Sequence, residues 1–389
     1  MIEKEVSIGA RRERRFYVTT LFLFLATLFI VLILGIFINN SVKSRRLYEE
    51  LYFPETNTYI CPSPSSSYNP RIITNTTNQS RHLVSSTQDL RHSMSDQELL
   101  SQALEVSHQI DEFSHNISKN KPKVAFLFLT RGKLPLAPFW EIFFKGNEGF
   151  FSIYLHTSPD FIYEPSKSSV FYKRRVPSKE VQWGKPSMID AERRLLANAL
   201  LDISNERFIL LSETCIPLFN FPTIYNYLIN SKKSYLSCFD DPRSTGRGRY
   251  NKRMAPTITL ADWRKGSQWF EVHRKLATAM IADESYYPIF RNHCMPPCYM
   301  DEHYFPTLVT KIDPQLTSNR PITWTDWSAG GPHPRRFVNK DVSEGLLNYI
   351  RYGSNCTYNG AVTSLCFLFA RKFHPSTLQP LLELAPTVL

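Results

Sequence analysis

The stretch Lys123-Val124-Ala125-Phe126-Leu127-Phe128-Leu129 decides the fold class. From Val124 to Leu129 every residue is apolar, which is the pattern of a strand buried on both faces in a parallel sheet. Comparable runs occupy residues 151–155 and 207–211, and another lies near 362–369. Between them stands a helix signal, with Ser187 as N-cap and Asp190 at N3. Met188, Ala191, Leu195, Leu196 and Ala199 then recur on one face. Strands alternating with helices predict an α/β domain with a mostly parallel sheet and a ligand site at the strands' C-terminal ends. No internal repeat is visible. The glycine-rich dinucleotide and P-loop fingerprints are missing as well, which argues against a dehydrogenase or a P-loop kinase.

Upstream the composition changes. Residues 39–120 are poor in aliphatic side chains and rich in Ser, Thr, Asn and Gln, and Pro62-Ser63-Pro64-Ser65-Ser66-Ser67 cannot bury a core. Ser95-Asp96-Gln97-Glu98 opens a helix running to about Ile110 with a capping-box start. Residues 16–38 form an uncharged apolar run of 23 residues, enough to cross roughly 30 Å of hydrocarbon. Lys4, Arg11, Arg12, Arg14 and Arg15 precede it and Lys43, Arg45 and Arg46 follow, so the N-terminus is expected in the cytosol. Gly35-Ile36-Phe37-Ile38-Asn39-Asn40 offers no good cleavage site, so the run reads as an uncleaved signal-anchor. The expected order is a cytoplasmic tail (1–15), a transmembrane anchor (16–38), a lumenal stem (39–120) and a folded lumenal domain (121–389).

The remaining composition agrees with a lumenal setting. All seven cysteines lie outside the apolar run, which predicts two or three disulfides, with Cys61 the natural odd residue. Glycosylation tripeptides begin at Asn75, Asn78, Asn116 and Asn355. A net charge of +11 suits nucleic acid, an anionic membrane or a phosphorylated ligand. Lumenal topology removes nucleic acid and favours a small molecule bearing phosphate.

Four segments carry the candidate chemistry. They are Val181-Gln182-Trp183-Gly184-Lys185-Pro186-Ser187, Trp263-Arg264-Lys265-Gly266-Ser267-Gln268-Trp269-Phe270, and Cys298-Tyr299-Met300-Asp301-Glu302-His303-Tyr304-Phe305. The fourth joins Trp324-Thr325-Asp326-Trp327 to Gly330-Gly331-Pro332-His333-Pro334-Arg335-Arg336-Phe337. Together, over residues 121–389, they resemble the core-2/I-branching β-1,6-N-acetylglucosaminyltransferases (glycosyltransferase family 14), most closely the plant branch of single-pass membrane proteins. The resemblance implies a GT-A-like fold and an inverting transfer of a sugar, GlcNAc first among candidates, from a UDP-sugar to a glycan or cell-wall acceptor. It also implies a Golgi type II membrane protein whose lumenal domain is catalytic.

Such a transfer needs a base for the acceptor hydroxyl and cations for the departing diphosphate. Glu302 falls where the family places its catalytic base, with Asp301 beside it to cap or orient; both acids also suit a helix N-terminus. The family works without metal, so no cofactor is expected, and Asp240-Asp241-Pro242 lacks the Asp-x-Asp spacing of metal-dependent relatives. Leu368-Phe369-Ala370-Arg371-Lys372-Phe373 resembles the segment carrying a diphosphate-binding lysine, which maps to Lys372. A family arginine inside the small disulfide loop has no counterpart in Ala361-Val362-Thr363, and Arg371, Arg335 or Arg336 is expected to substitute. The resemblance pairs Cys356 with Cys366 around that loop.

Trp324, Trp327 and the intervening Asp326 are candidates for sugar contact, with Asp301 on the same side, whereas Trp269 reads as structural. The glycine-punctuated loop bearing Arg243, Arg247, Arg249, Lys252 and Arg253 reads equally as an acceptor-side lid or as ordinary surface. His293, Cys294, Cys298 and His303 are zinc-type ligands at a spacing zinc does not ordinarily use. Cys294–Cys298 is the competing disulfide there. Two other functions fit part of the sequence. A catalytically inactive membrane-anchored glycan-binding protein of the same fold would explain the missing loop arginine. A glycoside hydrolase would need a second acid, Asp240 or Glu213, in a site that is otherwise basic.

Overall fold

The structure, a computed structural model, describes residues 89–113 and 121–389. Its first half runs α1 (Asp96–Phe113), β1 (Lys123–Leu129), α2 (Ala137–Phe144), β2 (Phe151–His156), α3 (Ser187–Leu200), β3 (Asn205–Ser212), β4 (Ile216–Pro217) and α4 (Phe221–Ile229). The second half runs β5 (Glu271–His273), α5 (Arg274–Ala282), α6 (Tyr287–His293), α7 (Met300–Ile312) and β6 (Thr323–Thr325). It closes with α8 (Glu344–Tyr352), β7 (Cys356–Tyr358), β8 (Ala361–Thr363), β9 (Phe369–Arg371) and α9 (Leu378–Val388).

The expected parallel sheet is present. β1 lies between β2 and β3 and pairs parallel with both, while β5 adds antiparallel to β3. Alternation along β1 sorts the two cores: Ala125, Leu127 and Leu129 face one, and Val124, Phe126 and Phe128 face the other. The second core is largely aromatic. The Phe126 ring lies 4.9 Å from Phe144 and 5.8 Å from Phe143, both edge-on, and Trp140 donates its indole N–H to the Cys215 carbonyl at 3.1 Å. A second sheet, ordered β4-β9-β6, and the β7-β8 hairpin complete the strands.

Helix α3 forms where its periodicity placed it, and Met188, Ala191, Leu195, Leu196 and Ala199 all enter the first core. Its opposite face is buried too, because α1, α5 and α7 cover it. Arg193 donates to the carbonyls of Met280 (3.1 Å) and Ile281 (2.8 Å) and to the Tyr304 hydroxyl (3.0 Å). Ser187 is the first helical residue rather than the cap. Pro186 takes the N-cap position, and the Ser187 hydroxyl accepts the Gln182 N–H at 3.0 Å. The run near 362–369 divides: Ala361–Thr363 enters the hairpin, and Phe369–Arg371 pairs with β4 and β6 rather than with the main sheet.

The capping box at Ser95 forms, with Ser95 N–H to Glu98 Oε2 at 2.7 Å and Glu98 N–H to Ser95 Oγ at 3.3 Å. Its helix, placed by the sequence in the stem, is instead docked on the folded domain. Leu99 and Ala103 sink into the first core, and Asp96 takes two bonds of 2.8 Å from the buried Arg194. Among the described residues no helix is long and apolar enough to cross a membrane. The expected span at 16–38 lies outside them, as do Cys61, Asn75, Asn78 and Asn116.

One buried ion pair ties β5 to the sheet. Glu271 is fully buried and accepts from Arg207 on β3 at 2.6 and 2.8 Å, and Arg207 also donates to the Lys233 carbonyl at 2.8 Å. Removing one member leaves a buried charge unpaired. Glu271→Ala is expected to cost about 3–5 kcal/mol in denaturant unfolding, and Arg207→Met with Glu271→Leu markedly less. Equal losses would show that the pair's charges are not what holds the edge.

Candidate active site

The four sequence segments meet at the N-terminus of α7. Tyr299 precedes the helix in a left-handed conformation (φ 57°), and its ring lies 5.0 Å from Trp183 of the first segment. His333 of the fourth segment lies 5.6 Å from the same indole, which is 54% exposed. Gly184 has φ 72°, and a Cβ there would meet the Tyr299 ring at 3.0 Å, so the approach of these loops excludes a side chain. The Arg249 guanidinium lies 4.6 Å over Tyr299 and reaches Glu302 Oε2 at 2.6 Å. Lys265 of the second segment meets the same Oε2 at 2.6 Å.

Lys265 is held by its own backbone. It exchanges hydrogen bonds of 2.8 and 2.9 Å with Phe239, and Gly266 N–H donates to the Glu302 carbonyl at 2.8 Å. A Cβ on Gly266 would lie 2.1 Å from the Ser237 carbonyl oxygen and 2.8 Å from Pro306, so only glycine lets this segment lie against α7. Farther along, Gln268 donates to the buried Glu192 at 2.8 Å, and Trp269 lies beneath Arg371 with 4.0 Å from guanidinium to ring. Four residue steps, about 14 Å of extended chain at most, thus separate the contact with Glu302 from the contact with Arg371.

The two acids of α7 differ. Burial works to raise the Glu302 carboxyl, but Lys265 and then Arg249 outweigh it, and its pKa lies below the ordinary glutamate value. Asp301 is only 8% exposed, and its Oδ1 is buried without a hydrogen-bond partner. Burial, then the neighbouring Glu302 charge, pushes Asp301 up to about 6. Burial also raises the pKa of Glu192 on α3, opposed by the hydrogen bond from Gln268.

A second cluster gathers at the C-terminal edge of the parallel strands. Lys372 follows β9, and the next residue, Phe373, hydrogen-bonds to the Thr214 carbonyl just past β3. Burial lowers the Lys372 pKa, and the positive charges of Arg371, Arg336 and Arg131 lower it again; Glu213 opposes them. None of the four cations has an ion-pair partner among the described residues. Arg371 Nε is buried with no acceptor. Arg335, also expected here, turns instead to Asp341 at 3.2 Å and Asp326 at 3.9 Å.

Of the sugar-contact candidates, Trp324 on β6 is half-buried against Phe337 at 5.9 Å, while Trp327 is 37% exposed. Asp326 accepts the Ser328 N–H at 2.8 Å. Trp263 is core, stacked 4.4 Å from His303 and donating to the Gly246 carbonyl at 3.0 Å. Trp269 is buried, as expected, but it also supports Arg371.

The zinc reading is overturned: Cys294 and Cys298 form a disulfide, and His303 Nδ1 lies 2.8 Å from the Arg264 carbonyl. Cys356 is disulfide-bonded to Cys366, while Cys215 and Cys238 are free. Asn355 is exposed beside that loop. Asp240 is bound by Arg247 at 2.5 and 2.8 Å and Asp241 by Arg243 at 2.7 Å, so the loop's own arginines occupy the acids a metal would need. Those contacts pin the loop. Among the described residues no group of three His, Cys, Asp or Glu side chains is arranged to hold a metal.

The family model of the core-2/I-branching enzymes matches residues 124–351. The chain is also 37% identical over 310 residues to a protein of Oryza sativa subsp. japonica named Glycosyltransferase BC10, covering 68% of this chain and 76% of that one. The chain belongs to the core-2/I-branching enzyme family. It is a glycosyltransferase. In this core-2/I-branching enzyme, sequence reasoning gave no role to Arg131, which lies near Lys372, or to Lys265, which contacts Glu302, and left Arg249 in an undecided loop. Arg131 follows the strand 123–129, so the rule that ligands sit at strand C-termini was the available signal. Lys265 stood inside the second quoted segment without a role of its own, and only the tertiary fold brings it and Arg249 to Glu302.

Asp301 gives the site a pH signature. An acid whose folded pKa is raised is accommodated when neutral, and that advantage is lost as pH climbs from its ordinary 3.8 to about 6. The loss amounts to about 3 kcal/mol. Asp301→Asn is therefore expected to compare more favourably with wild type at pH 7 than at pH 4 in urea unfolding. An equal difference at both pH values would refute the burial argument.

Proposed function

We propose that this glycosyltransferase moves a sugar, GlcNAc by preference, from a UDP-sugar to a glycan or cell-wall acceptor hydroxyl, with inversion and without metal. The observation that carries this reading is the gathering of Arg131, Arg336, Arg371 and Lys372, unpaired among the described residues, at the strands' C-terminal edge. Cations without carboxylate partners are suited to a dianionic diphosphate, and guanidinium groups can bind it through paired hydrogen bonds. Arg371 and Arg131 supply the charge that Ala361-Val362-Thr363 in the disulfide loop lacks.

In the proposed reaction Glu302 accepts the acceptor proton while the acceptor oxygen bonds to the anomeric carbon. The bond from that carbon to the β-phosphate oxygen breaks, and its electron pair leaves on UDP beside Lys372 and the arginines. Glu302 takes this part as a carboxylate, the form that Lys265 and Arg249 favour. Trp327, Trp324 and Asp326 line the acceptor side in this reading. In this proposal the reaction runs in the Golgi lumen, as the family resemblance implies, and residues 16–38, flanked by more cations before than after, anchor the domain as a type II protein.

The test is transfer from UDP-GlcNAc by the full chain across a panel of glycan acceptors, wild type against Glu302→Gln. The reading predicts turnover that falls about a thousandfold in the variant. Glycan binding indifferent to UDP, with no turnover by wild type on any donor sugar, would favour the inactive glycan-binding alternative.

A further inference from the structure

Lys265 and Arg249 come from different parts of the chain, yet both bind one oxygen of Glu302. Arg249 Nη1 and Lys265 Nζ each lie 2.6 Å from Oε2, and Oε1 makes no hydrogen bond among the described residues. A carboxylate pinned through one oxygen by two cations cannot rotate freely, and its other oxygen is held at a fixed place. The two cations are not equivalent. Arg249 sits in a short 3₁₀ turn and stacks on Tyr299. Lys265 is anchored at its backbone to Phe239, and its neighbour Gly266 bonds to the Glu302 carbonyl itself. The same short segment thus grips the side chain and the backbone of one residue.

We propose that Lys265 is a positioning residue: together with Arg249 it anchors Oε2 of Glu302 and leaves Oε1 as the oxygen that takes the acceptor proton. This rests on Glu302 being the base. In the transfer step the acceptor O–H bond breaks, its proton goes to Oε1, and the oxygen's electron pair forms the new glycosidic bond as the sugar–phosphate bond breaks toward UDP. Lys265 and Arg249 exchange no proton; they orient the carboxylate and keep it ionised. The charged and titratable groups acting on Glu302 are Arg249 from its turn, Lys265 from the segment before β5, and Asp301 and His303 from α7 itself.

The experiment is a carboxyl-carbon NMR titration of the full chain labelled with ¹³C-glutamate, with the Glu302 signal identified by its loss in Glu302→Gln. Lys265→Met is expected to raise the Glu302 midpoint and Lys265→Arg to keep it near wild type. Arg249→Met gives a second variant from an independent element and is expected to raise it too. An unchanged midpoint in a folded Lys265→Met protein would overturn the anchor. In transfer assays with UDP-GlcNAc, Lys265→Met is expected to lower kcat about tenfold to a hundredfold and to move the acidic limb of the pH profile upward with the midpoint, with KM for the donor little changed. A midpoint that moves while the pH profile stays fixed would uphold the anchor at Oε2 but refute Glu302 as the base, and with it the proton transfer to Oε1.

Discussion

The site depends on a contact that only glycine permits. At Gly266 the chain passes so close to Ser237 and Pro306 that a single added carbon would overlap the Ser237 carbonyl. That approach lets the segment from Lys265 to Trp269 lie along α7 as a strap. One end grips Glu302, the middle engages Glu192 through Gln268, and the far end supports Arg371. The candidate base and one member of the cation cluster, Arg371, therefore rest on the same short piece of chain. Rigid placement matters because a reacting group displaced by about 1 Å can lose a hundredfold in rate.

The electrostatics divide in a way that fits the two tasks. At the N-terminus of α7, Lys265 and Arg249 meet the carboxylate of Glu302, while Asp301 of α7 and Glu192 of α3 lie in the interior. At the strand ends, positive charge is left unmatched except for the opposing influence of Glu213. Holding several cations together without partners is unfavourable for the free protein, and it is the arrangement an anion of high charge would relieve. The acids that might have drawn a metal, Asp240 and Asp241, are already bound to arginines of their own loop.

Much of the fold was legible in the sequence because local pattern and tertiary role coincide there. The runs 124–129, 151–155 and 207–211 are apolar except at Ser152 and Arg207, since both faces of the central strands are covered, and they became β1, β2 and β3. The apolar stripe of α3 was readable for the same reason. Its charged residues carried no local sign of their place: Glu192, Arg193 and Arg194 are buried beneath α1, α5 and α7. Docking of α1 was invisible because it turns on Asp96 meeting Arg194, 98 residues away. At the candidate site, motifs singled out Lys372, Arg371, Arg336 and Glu302, which lie in the two clusters described above. Arg335 meets Asp326 and Asp341 instead, contacts that its position in the sequence does not reveal.

In the proposed reaction basic side chains alone hold the departing diphosphate. Calorimetric titration of UDP into the purified full-length chain, with a chelator present throughout, tests it most directly. The account predicts saturable binding under chelation that weakens as salt rises and is lost in Lys372→Ala. Absence of binding in chelator with recovery on adding manganese would contradict it and return attention to Asp240 and Asp241.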